Sequence, residues 1–214
     1  MGCVRLVSTT LMGATLVLAV AAAGFAMSLS GPAAKPAHGA APWPAPASPL
    51  RLAVAAGLKP ERHETLINHV HSHLDVFVNG KPISVPAGIG INIHDPGVKV
   101  FKAPDGSKAY GGISLCTTPC ISPLHTHDDS GILHTESASP VPNRLGQLFT
   151  EWGVALTATC VGGYCHLTSP HVYVDGKPFA GDPRGIALTD HKEIAIVIGT
   201  PPKKIPAKAD FSTA

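Results

Sequence analysis

A chain of 214 residues with an apolar fraction of 44% can bury the core of one domain. Only 14% of its residues are charged, the formal net charge is +2, and the lysines are scattered apart from Lys203-Lys204, which excludes the basic stripe of a nucleic-acid binder. Gly (22) and Pro (21) disfavour long helices and favour short strands joined by turns.

Residues 1–26 carry Arg5 and then an uncharged Leu/Val/Ala-rich run from Leu6 to Ala26, the pattern of an export signal. Small residues suit cleavage after Ala23 or Ala26, and the run is also long enough to span a bilayer as a retained anchor. Cys3 precedes the apolar run, whereas a lipobox cysteine follows it. Removal of the signal leaves four cysteines, an even number suited to an oxidising compartment outside the cytoplasm. Residues 27–59 are rich in Pro and Ala and read as an extended linker, in which His38 and Trp43 have no assigned role. The folded domain is expected over 60–200 and a loose tail over 201–214.

From His69 to Val78 polar and apolar residues alternate, which predicts a strand with His69, His71, His73 and Asp75 on one face and Val70, Leu74, Val76 and Val78 on the other. Two histidines separated by one residue on a strand project side by side, close enough to grip one ion. Asn79-Gly80 is a hairpin signal, with a return strand at Ile83–Val85. A second hairpin is expected around Asp105-Gly106.

The stretch from Cys116 to Glu136 concentrates His125, His127, His134, Asp128, Asp129 and Glu136. His125 and His127 repeat the i, i+2 spacing, and after Gly131 a strand resumes with His134 and Glu136 on one face. A His-x-His pair with a further His or Glu from a neighbouring strand is a common basis for a divalent metal site in β proteins. Ordinary hydrogen-bonding loop histidines are the plain alternative. The candidate metal ligands are therefore His71, His73, His125, His127, His134 and Glu136.

A helix is predicted over 143–153: Asn143 can cap it, Leu145, Leu148, Phe149 and Trp152 form an apolar stripe, and Gly153 can close it. Cys116, Cys120, Cys160 and Cys165 are disulfide candidates, with three connectivities open. A short echo relates Val76-Phe-Val-Asn-Gly-Lys-Pro82 to Val172-Tyr-Val-Asp-Gly-Lys-Pro178, two similar hairpins. The apolar run Ile194–Ile198 reads as a buried central strand.

The fold class is α+β, mostly antiparallel, with one short helix and a His-rich insertion; an all-β sandwich or barrel is the alternative. The order of hairpin, insertion, helix and closing strand Leu188-Thr-Asp-His-Lys-Glu-Ile-Ala-Ile-Val resembles the β-grasp of small sulfur-carrier and ubiquitin-like proteins, over residues 70–85 and 143–199. That family's Gly-Gly tail is replaced here by Pro201-Pro-Lys-Lys, so its modifier chemistry does not carry over. Leu124-His-Thr-His-Asp-Asp-Ser-Gly-Ile-Leu-His-Thr-Glu136, with His71-x-His73-Leu74, resembles a group of exported bacterial proteins of unknown function that bear the same two His blocks. This likeness implies no established activity.

The leading expectation is an exported, envelope-associated protein that binds a divalent transition metal. Its methionines, Met1, Met12 and Met27, lie in or beside the signal, so thioether ligands are absent from the mature domain and Zn(II) or Cu(II) is favoured over Cu(I). A metalloenzyme with an open three-His site is the second reading, with Glu136 or Asp129 as general base. Its iron variant uses His127-x-Asp129 with His166, His171 or His191 as third ligand. A tethered interaction module without metal is the third. Membrane contact is expected only through an uncleaved amino-terminal segment.

Overall fold

The computed structural model describes residues 1–2, 41–114, 116–165 and 170–212. The expected signal or anchor, Cys3, His38 and His166 lie outside them. Among the described residues no helix is long and apolar enough to cross a membrane.

The linker expectation fails from residue 41 onward. Trp43 is buried, edge-on to Trp152 at 5.7 Å and to Tyr164 at 6.2 Å between ring centroids. Proline and alanine cannot pack a core by themselves, but one indole supplies enough apolar surface to dock the segment. Pro49 then opens α1 (Pro49–Ala55), a position where its missing N–H costs nothing, and Leu52 and Ala53 are buried.

The alternation around His71 forms β1 (Asn68–Val78), and Asn79 and Gly80, at φ 50° and 76°, turn it into β2 (Lys81–Ile83). β3 (Lys99–Lys102) and β4 (Lys108–Gly111) form the second predicted hairpin as a separate two-stranded sheet. β5 (Leu124–His125) and β6 (Ile132–Ser137) follow. The helix predicted over 143–153 is α2 (Leu145–Trp152), closed by Gly153 in the left-handed region. Asn143 does not cap it: its amide reaches the Pro123 carbonyl and Thr135 Oγ1, while the Arg144 N–H donates to Gln147 Oε1 at 2.8 Å.

β7 (Leu156–Thr157), β8 (Cys160–Val161) and β9 (Tyr164–Cys165) make a small sheet. β10 (His171–Val174) and β11 (Lys177–Phe179) are the echoed hairpin, and β12 (Lys192–Ile198) is the buried closing strand. The disulfides are both local, Cys116–Cys120 and Cys160–Cys165. The segment after Pro201 is not loose: Phe211 stacks on His191 at 4.7 Å, and Gly176 has no room for a Cβ beside Ala207.

The main sheet has the order β11-β10-β12-β1-β6-β5. β1 runs parallel to β12 along one edge, and its other edge is shared, Asn68–His73 pairing with β6 and Val76–Val78 with β2. Leu74, Val76, Leu133, Ile194, Ile196 and Ile198 face Leu145, Leu148, Phe149 and Trp152 of α2 in one core, each large side chain contributing about 1.5–3 kcal/mol by burial. A second, smaller core of Ile91, Val98, Ile113, Cys116, Cys120 and Ile121 supports the insertion. The architecture is mixed α+β, mostly strands with two helices. The described residues form no closed barrel, so the all-β sandwich or barrel alternative does not hold.

Candidate metal centre

Strand register, which repeats every two residues, decides which histidines meet. His71 of β1 lies opposite His134 of β6, and His134 lies opposite His125 of β5, so the three form one row across the sheet on the face away from α2. One pleat along, His69 lies opposite Glu136. His127 follows β5 and is held by β4: the Tyr110 N–H donates to the His127 carbonyl at 2.9 Å, and His127 Nδ1 donates to the Tyr110 carbonyl.

His125, His127, His134 and Glu136 each present one donor atom, and these four atoms lie within 4.8 Å of one another. Glu136 Oε1 is 3.6 Å from His134 Nδ1, 3.9 Å from His125 Nε2 and 4.0 Å from His127 Nε2. His125 Nδ1 donates to the Ser122 carbonyl at 2.9 Å. Because the Nδ1 atoms of His125 and His127 are both committed to carbonyls, their Nε2 lone pairs point at each other across 3.3 Å. Two lone pairs so placed repel unless a cation or proton lies between them. Two nitrogens bound to one tetrahedral zinc ion, at about 2.0–2.1 Å each, stand about 3.3–3.4 Å apart. The donor set therefore fits an ion, and the buried His134 Nδ1 and Glu136 Oε2, which have no hydrogen-bond partner, belong to the same group.

Electrostatics favour the binding state of most donors. Burial, then the neighbouring His127, pushes His125 well below the ordinary histidine value, and burial likewise lowers His134, so both stay neutral. Burial opposes charge on Glu136, but the surrounding histidines outweigh it and hold the carboxyl far below its usual range. Burial also opposes a proton on His127, yet Glu136 and the Tyr110 carbonyl overcome it and raise its pKa.

Not all six predicted ligands converge. His71 is beside His134, with ring centroids 4.6 Å apart, and its buried Nε2 lacks a partner; together with His69 these two form an overlapping group. His73 is drawn elsewhere, to Asp75 and Glu193. Neither was Glu193 singled out from the sequence nor His69 placed among the ligands. Glu193 meets His73 only through the parallel β1–β12 pairing, which local pattern does not reveal. Asp129 accepts from Ser107 Oγ at 2.9 Å and is absent from the cluster, His171 is exposed and His191 stacks on Phe211, so the described residues assemble no His-x-Asp triad. Comparison of this chain with family models, with characterised proteins and with solved structures finds no match.

Proposed function

We propose that this is an exported protein whose domain holds one divalent transition-metal ion, Zn(II) or Cu(II), through His125, His127, His134 and Glu136. The carrying observation is the 3.3 Å approach of two carbonyl-anchored imidazole nitrogens, with a third imidazole and a carboxylate beside them. Three imidazoles and one carboxylate are a borderline donor set suited to these ions. Four protein donors saturate a tetrahedral ion, which supports holding the metal over activating water on it. Two local disulfides fit an oxidising location. The pairing of an amino-terminal hairpin with a parallel closing strand and one helix supports a β-grasp-like assignment for the sheet.

Metal content of the purified full chain, measured by mass spectrometry, tests the reading. One zinc or copper ion per chain is expected, and the His125→Ala/His127→Ala variant should lose it. Unchanged stoichiometry in a folded double variant would end the proposal.

A further inference from the structure

The geometry points to a second cation site, built from His73, Asp75 and Glu193, that shares no ligand with the first. Glu193 on β12 is only 1% exposed, and neither of its carboxylate oxygens has a hydrogen-bond partner. A buried carboxylate is strongly disfavoured unless a cation accompanies it. Its Oε2 lies 3.0 Å from His73 Nδ1, itself buried without a hydrogen-bond partner, and the same nitrogen is 3.8 Å from Asp75 Oδ2. His73 Nε2 is 2.9 Å from the Ser130 carbonyl, which places a ring proton on Nε2 and leaves Nδ1, facing the two carboxylates, as the position that takes either a metal ion or a second proton.

These three donors lie within 4.8 Å of one another, and each element fixes its own share of them. β1 presents His73 and Asp75 on one face, and the parallel register sets Glu193 directly opposite His73. Asp75 also lines an open cleft of about 410 Å³ with Asp105, Asp129 and Ser130. Through Asp75 the cleft gives a hydrated cation an acidic approach to the edge of this group. One imidazole and two carboxylates form a harder donor set than the first centre offers, and with open positions such a set suits Mn(II). The chain would then carry two chemically distinct sites on neighbouring strands of one sheet, a nitrogen-rich buried centre on β5 and β6 and an oxygen-rich one on β1 and β12.

The test is a Mn(II) titration, following free aqueous Mn(II) by its electron paramagnetic resonance signal, of the full chain and its single variants preloaded with one equivalent of Zn(II), and of His125→Ala/His127→Ala with no zinc added, because zinc displaced from the first centre would outcompete Mn(II). The expected result is one Mn(II) bound per chain, with affinity lowered about tenfold or more by Asp75→Asn or Glu193→Gln and kept in His125→Ala/His127→Ala. Survival of Mn(II) binding in that double variant separates this site from the first, whichever way the first proves. Asp75→Asn, at a partly exposed position, decides if Glu193→Gln fails to fold. A free signal that rises in proportion from the first addition would show that a proton alone bridges His73 and Glu193, and would overturn the site. Binding unchanged in Asp75→Asn, or lost in the double variant, would overturn it too.

Discussion

Glu151 of α2 is fully buried, its carboxylate oxygens have no well-formed hydrogen bond, and burial raises its pKa well above the ordinary 4.5, opposed only by Ser122. The unfolded chain ionises this group near its ordinary value while the folded chain resists, so stability is greatest below that pH and falls as pH rises toward the folded value. Glu151→Gln should remove this slope and stabilise the protein at neutral pH, by about 1.4 kcal/mol for every tenfold difference in proton affinity between the folded and unfolded chains. Thermal melts of both proteins from pH 4 to pH 8 check it; parallel curves would refute the buried-acid account. Glycines offer a second comparison at this scale. Gly90 has φ +73°, and a Cβ there would meet the Leu124 carbonyl and lie 3.1 Å from His125 Cβ. Gly90→Ala should cost about 2–4 kcal/mol and weaken metal uptake by displacing β5. Gly106, at φ +89° with open space around it, should lose only about 1–2 kcal/mol as Ala and bind metal normally. Equal metal affinity in the two variants would contradict the link between Gly90 and the centre.

Elements with a local signature were legible in the sequence. Asn79-Gly80 and Asp105-Gly106 announce their hairpins, and the stripe Leu145–Trp152 with Gly153 announces α2. The row His71–His134–His125 was legible only as two separate blocks, because the register joining them is a long-range property. The capping role expected for Asn143 lost to a tertiary demand, since its amide ties β6 to the Pro123 carbonyl instead. Cys116–Cys120 closes a loop of short sequence separation beneath the insertion. On loop entropy its removal by Cys116→Ser/Cys120→Ser should cost about 2 kcal/mol. Denaturant titration should show a lower midpoint with unchanged slope, and a changed slope would instead mean that the insertion's small core had come apart.

At the scale of the whole molecule, the largest departure from expectation is the segment 41–59, whose composition reads as a tether but which completes the core. One Trp and two turns of helix are too small a signal to outweigh surrounding Pro and Ala in any window average. Trp43→Ala should destabilise the domain by about 3–5 kcal/mol, measured by equilibrium unfolding, whereas a true tether would tolerate the change. Gly162 belongs to the same arrangement, because any Cβ there would collide with the Trp43 indole. The chain has only two tryptophans, Trp43 and Trp152, and they meet edge-on in the core with Tyr164 at their flank. Its tryptophan fluorescence therefore arises at a single locus, where the amino-terminal arm joins α2. Undocking of that arm would move the emission of both indoles at once, giving a built-in optical signal for that event.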